Sequence, residues 1–301
     1  MIYRVRHRTT YAYEAEVTFA RCVLRLTPRS SATQTVLQTS LKVSPEPTLA
    51  FDRVGPFGEL TTTVVIETPH KALVIDAHAR VDVNSPASRL DFGVPWEDVR
   101  AQALRTADLD AQAPANFLYP SVRAPLAPAI TAYARASFPP ARGVLAAATE
   151  LMGRMRREFT YDAEATDVST APLEAFEARR GVCQDFAHIM ICGLRGLGLP
   201  ARYVSGFLRT YPPSGRPRLE GADATHAWVC LWCGEDTGWI GFDPTNDVLA
   251  QDDHIVLASG RDYADVAPID GIILAPGKQT LDVEVDVVPE AELGAPRLAF
   301  G

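Results

Sequence analysis

The stretch "LVIDAHARVDV", Leu73 to Val83, limits what this chain can fold into more than any other. Ile75, Ala77, Ala79, Val81 and Val83 fall on one side of a period of two, and Asp76, His78, Arg80 and Asp82 on the other. Only an extended strand puts alternate residues on opposite faces, so one face meets a core and the other meets water. The preceding "YRVRHRTTYAY" mixes aromatic, β-branched and charged residues in shorter alternations of the same kind. Turn-rich breaks at "SPEP" and "VGPFGE" separate the runs. Residues 1–85 are therefore expected to form a β-rich domain resembling a sandwich.

The period then changes. From 86 to 140 prolines are frequent and alternation is weak, which predicts a connecting region with short helices. In "GVLAAATELMGRMRREF" Val144, Leu145, Ala148, Leu151, Met152 and Met155 form a helical stripe facing a core. A second helix starts near Cys183, with Phe186, Met190, Leu194 and Leu197 on one face, and Gly198 and Pro200 supply its stop. Strands follow: "ARYVSGFL", then "HAWVCLWC" and "WIGFD" flanking "GEDTG" as a hairpin. Near the end Leu281, Val283, Val285 and Val287 alternate with acidic residues. Helix followed by antiparallel strands makes residues 141–301 an α+β unit, with the buried helix packed on a sheet.

At 301 residues, 47% of them hydrophobic, the chain has ample material for a core. A net charge of −8 excludes a general nucleic-acid binder, which needs a basic face. The longest apolar stretch, "HIMICGLRGLGLPARYVSGFL", is interrupted by Arg195 and Arg202, so no membrane span is expected. "MIYRVRHRTTYAYEAEV" lacks the apolar run of a secretory leader. Five cysteines in irregular places do not describe a disulfide framework. Reduced thiols and a cytoplasmic location are the expectation.

Chemistry concentrates around "RRGVCQDFAH". A thiol ordinarily titrates near about 8.5, and the positive end of a helix favours its thiolate. The same end can hold a developing oxyanion. Position alone leaves Cys183 as nucleophile, buried spacer or metal ligand. His226 in "ATHAWV" and Asp243 in "GFDPTN" lie on neighbouring strands of the expected hairpin, where an imidazole and a carboxylate can meet. A carboxylate on one ring nitrogen fixes the tautomer and leaves the other nitrogen for the thiol.

Other candidates fit less well. His188 lies about 140° around the helix from Cys183, which assigns it to structure. His254, after two aspartates, is expected in an exposed loop. Cys230 and Cys233 in "CLWC" would point to opposite faces of a strand, with no second ligand pair nearby. They and Cys192 are read as structural, and neither a metal nor an organic cofactor is expected. No phosphate-binding glycine loop is present.

The assembled motifs "RRGVCQDFAHIMICGLRGLGLPARYVSGFL", "GADATHAWV", "GWIGFDPTN" and "HIVLASGRDYADVAP" resemble the bacterial transglutaminase-like family of the papain-like cysteine enzymes. "HRTTYAYEAEV" and "LRLTPR" look like that family's β-rich N-terminal domain. The resemblance implies a papain-like α+β core, a Cys183–His226–Asp243 triad, and acyl transfer from a peptide-like amide through a thioester. The thioester then goes to water, as in a cysteine protease, or to an amine, as in a crosslinking transglutaminase. A binding protein using the cleft only for recognition is the non-enzymatic alternative. Thr225 stands where serine is usual, and "FGE" at Phe57–Glu59 where "FGN" is common. Gln184, beside the nucleophile, and Tyr161 in "FTYD" are candidates for the oxyanion site or the cleft.

Overall fold

The computed structural model describes residues 1–84, 93–108, 110–211, 225–274 and 276–293. Residues 85–92, at the expected end of the N-terminal domain, and Gly221–Ala224, ahead of His226, lie outside the described residues.

The alternation of residues 73–83 becomes β6 (His70–Val83), in a sandwich with β1 (Ile2–Val17), β2 (Phe19–Thr27), β3 (Gln34–Ser44), β4 (Leu49–Val54) and β5 (Leu60–Ile66). In β6, Ile75, Val81 and Val83 are buried, while Asp76 on the other face pairs with Arg6 of β1. The inward residues of β1 and β6, including Tyr3, Val5, Ile75 and Val81, share one core with Cys22, Leu24, Val64 and Ile66 of the opposing sheet. Burial at about 25 cal/mol per Å² of apolar surface drives this face-to-face packing. In the turn before β5, the buried Glu59 of "FGE" accepts the Phe57 amide at 3.0 Å.

The middle of the chain is helical: α1 (Trp96–Arg105), α2 (Pro128–Arg135), α3 (Val144–Glu158), β7 (Thr160–Tyr161), α4 (Pro172–Ala178), β8 (Arg180–Gly181) and α5 (Cys183–Gly196). The stripe of α3 is buried as expected. Trp96, Val99, Ile130 and Ala134 of the connecting region enter the same core as α3 and α5, so α1 and α2 pack as core elements. Helix α5 ends where Gly198 and Pro200 predict. Gly198 has φ +81°, and the amides of Gly198 and Leu199 bond back to the carbonyls of Arg195 and Leu194, a Schellman stop.

One apolar face was expected for α5, and the structure buries it on all sides from Gln184 to Arg195. Arg195 tolerates this because its guanidinium donates to the carbonyls of Phe117, Ala201 and Arg261 and to the Ser121 hydroxyl. Desolvation still pulls that guanidinium down, to about 10.

Helix α5 packs on an antiparallel sheet of β9 (Ala201–Leu208), β10 (Thr225–Trp232), β11 (Trp239–Asp243), β12 (Val248–Leu249) and β13 (His254–Gly260), in the order β12-β11-β10-β9-β13. Strands β10 and β11 form the expected hairpin, with Trp232 opposite Trp239. Strand β13 crosses to the far edge, beside β9. After α6 (Tyr263–Val266) come β14 (Ile269–Leu274), β15 (Gln279–Pro289) and α7 (Glu290–Leu293).

These last strands return to the N-terminal sandwich: β14 pairs with β2 and β15 with β1. Although they fall within residues 141–301, their hydrogen-bond partners lie in the first part of the chain. Alternation reveals that a strand has a buried face and not which sheet receives it. Along β15 Val285 and Val287 are buried, whereas Leu281 and Val283 remain exposed on this edge strand.

Candidate active site

The glycine of "RRGVC" has a steric reason. A Cβ on Gly181 would lie 2.5 Å from Asp185 Oδ2 and 2.8 Å from Asp185 Cβ. With that space open, the Asp185 carboxylate reaches back to accept the Val182 amide at 2.8 Å and the Thr166 hydroxyl at 2.6 Å. It thus closes the N-terminus of α5, as an acidic residue at the third helical position does. Burial pushes this carboxyl up, against the lowering effect of those hydrogen bonds. Ahead of Gly181, Arg179 has a left-handed φ of 55° and lays its guanidinium over the rings of Tyr133, Phe159 and Phe176. The turn into Cys183 is therefore held from both sides.

Cys183 is half-buried at the first position of α5. Strand β10 carries His226, and the Cys183 thiol is among the groups that raise its pKa. Strand β11 ends in Asp243, which is wholly buried and accepts His226 Nε2 at 2.8 Å on Oδ2. With Nε2 committed to the carboxylate, Nδ1 is the ring nitrogen left for another partner. Burial works against charge on His226, but its hydrogen bond to Asp243 and the influence of Cys183 outweigh it and push the imidazole up to about 10. Asp243 is held well below the usual carboxylate range. Burial again opposes, and the hydrogen bonds from His226, His254 and Asn246 prevail. Oδ1 of Asp243 accepts the backbone amides of Thr245 and Asn246 at 3.0 and 3.2 Å. The side-chain amide of Asn246 donates to Oδ2 at 2.7 Å. The "DPTN" turn thus supplies donors to its own aspartate.

His254 corrects the sequence reading. It is buried at the start of β13, and its Nε2 lies 3.2 Å from Asp243 Oδ2. The two preceding aspartates read as a loop, but the strand begins at the histidine itself. Trp228 packs against both imidazoles, nearly parallel to His226 at 6.1 Å and edge-on to His254 at 5.1 Å. Gly206, opposite His226 on β9, leaves room for this indole: a Cβ there would meet the Trp228 ring at 2.5 Å.

The ligand atoms of His226, Asp243 and His254 lie within 4.8 Å of one another, a spacing that suits a divalent cation. The bonding around them favours a hydrogen-bonded carboxylate. The Gln251 amide donates to His254 Nδ1 at 3.4 Å, which leaves the proton on Nε2, directed at Asp243. A protonated nitrogen is a donor and not a metal ligand.

Among the remaining candidates, Gln184 is buried and its amide donates to the Val168 carbonyl at 3.4 Å, tying the helix start to the preceding loop. Tyr161 is exposed on β7, beside Gly181 of β8, and partial desolvation together with the nearby Cys183 raises its pKa. His188 accepts the Tyr263 amide on Nε2, a structural role, and its burial pulls it down to about 4. Cys192, Cys230 and Cys233 are free thiols pushed up by burial, Cys192 to about 12.

Two family models cover these parts. Residues 3–82 match the bacterial transglutaminase-like N-terminal region, and residues 126–244 match the transglutaminase-like superfamily. An uncharacterized protein of Mycobacterium tuberculosis is 39% identical over 295 residues, covering 95% of this chain and 92% of its own. The chain belongs to the bacterial transglutaminase-like family. Another family relative, a protein-glutamine gamma-glutamyltransferase of Pseudomonas aeruginosa, is 29% identical over 174 residues, 56% of this chain and 26% of that protein. The transglutaminase-like fold of this chain also matches a crystal structure described as a candidate cysteine protease from Cytophaga hutchinsonii. That match has a TM-score of 0.72 at 21% identity, over 96% of this chain and 91% of the other. The mixed α+β, strand-rich architecture expected from the sequence is thus the family's own. Among the described residues no helix is long and apolar enough to cross a membrane.

Proposed function

We propose that this transglutaminase-like protein is a thiol hydrolase that cleaves a peptide-like amide through a thioester on Cys183. The observation that carries the reading is the buried His226–Asp243 hydrogen bond of 2.8 Å beside a cysteine at the start of α5. A protonated His226 next to Cys183 favours the thiolate. The sulfur attacks the amide carbonyl carbon, and the carbonyl oxygen takes up negative charge. At the helix start the amides of Asp185 and Phe186 are used by the Val182 carbonyl, so those of Cys183 and Gln184 are the donors placed to meet that oxyanion. His226 passes its proton to the leaving nitrogen as the C–N bond breaks, giving amine and thioester. Water then loses a proton to His226 and adds to the thioester, the C–S bond breaks, and the acid departs. Asp243 keeps the imidazole oriented and stabilises its charge throughout.

Transfer of the acyl group to an amine in place of water is the second reading. Its support is the Pseudomonas aeruginosa relative, named a protein-glutamine gamma-glutamyltransferase. Both readings share the thioester and differ in the acceptor. No nucleic-acid or membrane partner is proposed, and the substrate is a peptide or protein amide. The five cysteines are free thiols, which supports placing the protein in the cytoplasm. The test is a peptide library offered with and without a primary amine, with products read by mass spectrometry. Hydrolysis predicts free acids in both arms, and transamidation predicts amine adducts wherever amine is present. Absence of turnover in both arms contradicts an acyl-transfer enzyme.

A further inference from the structure

The N-terminal sandwich does more than lie beside the site, because β13 is seated on it. Ile255 and Leu257 of β13 and Phe207 of β9 are buried in the sandwich core with Tyr3, Val5 and Ile75. Gln34, buried at the start of β3, uses its side-chain amide as a backbone would. It donates to the Val256 carbonyl and accepts the Val256 amide, each at 2.8 Å. That contact falls at the irregularity in the β13–β9 register between Val256 and Ala258. At the other end of the segment, the Tyr3 hydroxyl donates to Asp253 at 2.9 Å, one residue before His254. Three contacts from the first part of the chain thus fix the strand that carries His254, and its Nε2 meets the carboxylate behind His226.

We propose that His254 is a positioning residue, an Nε2–H donor that locks the Asp243 carboxylate toward His226, and that the N-terminal sandwich holds it in register through β13. The groups facing its ring are His226 and Trp228 of β10 and Asp243 of β11. The Gln251 amide approaches its Nδ1, and Asp253 beside it is engaged by Tyr3. His254 is the third donor on Oδ2, beside His226 and Asn246. An acceptor shared by several donors keeps one orientation only when each donor is itself held. His226 is oriented through Asp243, so freedom at His254 becomes freedom at the base.

This inference rests on the reading of Cys183 and His226 as nucleophile and base. The test follows alkylation of Cys183 by iodoacetamide against pH in the full chain, comparing wild type with His226→Ala, His254→Phe and His254→Gln. Wild type is expected to show a reactive shoulder at acidic pH that His226→Ala lacks. On that shoulder His254→Phe, which keeps the ring volume without a donor, should react about tenfold more slowly, as for one pH unit of displacement. His254→Gln, which retains an N–H in reach of Asp243, should stay within about threefold of wild type. A wild-type shoulder in His254→Phe overturns the inference, as does equal damage in both His254 variants. A wild type with no His226-dependent shoulder removes the underlying reading and the inference together. Nitrogen NMR of wild type supplies a check that needs no variant to fold. Protonation of His254 at Nε2 with a bare Nδ1 supports the assignment, and the reverse tautomer overturns it.

Discussion

Asp243 and His226 share a 2.8 Å hydrogen bond with the carboxylate wholly buried, so the orientation of this imidazole is set inside the protein and not at its surface. Replacing Asp243 by Asn keeps the volume and removes the charge that steadies the imidazolium. Acyl-enzyme formation should fall by about 10³–10⁴-fold while substrate binding changes little. Single-turnover kinetics with a thioester-forming substrate check this, and a loss under tenfold would show that Asp243 is not the orienting group.

The same pair fixes a sign for stability against alkali. His226 is raised from its ordinary value of 6.5 to about 10, so its contribution is fully present below the lower value and is lost as pH rises through the upper one. Thermal midpoints measured from neutral to alkaline pH should fall more steeply for wild type than for His226→Gln. Parallel slopes would mean that the charged imidazole contributes nothing to the fold.

On the acid side the sign reverses. Burial holds His7 and His188 down to about 4, below the ordinary 6.5, so both are neutral in the native state. Their contribution is present above the ordinary value and is lost as pH falls through the depressed one. His7→Phe places an apolar ring beside Phe207, 5.9 Å from the imidazole it replaces, and removes the protonation penalty. Denaturant midpoints taken at neutral and mildly acidic pH should converge for this variant relative to wild type.

Gly181→Ala tests the approach to Cys183. The added methyl meets Asp185 Oδ2 at 2.5 Å, so the carboxylate must leave the Val182 amide or the turn must shift. A loss of about 1–3 kcal/mol in unfolding free energy is expected, together with slower alkylation of Cys183. Urea titration reads the first and the iodoacetamide rate the second. An unchanged pair of values would contradict the steric account of this glycine.

What the sequence made legible follows from how local each signal is. The strand at 73–83, the helix stop at Gly198 and the hairpin joining β10 to β11 depend on neighbouring residues, and the structure has them where the periods and turn residues predict. The meeting of His226 with Asp243 was readable for the same reason, since a hairpin makes adjacent strands neighbours. His254 was not readable. It is buried against Trp228 and Asp243, on a strand that Gln34 and Tyr3 hold from far away in the chain, while its local neighbours Asp252 and Asp253 are polar. The return of β14 and β15 to the first sheets was hidden likewise, because period two carries no information about the partner strand.

The most direct test of the central claim is intact-mass analysis of the protein during reaction with a peptide amide or an activated acyl donor. The account predicts one acyl adduct, mapped to Cys183 and labile to hydroxylamine, that is absent from Cys183→Ala and accumulates slowly, if at all, in His226→Ala. Turnover by Cys183→Ala at the wild-type rate, or an adduct mapping to Cys22, Cys192, Cys230 or Cys233, would contradict it.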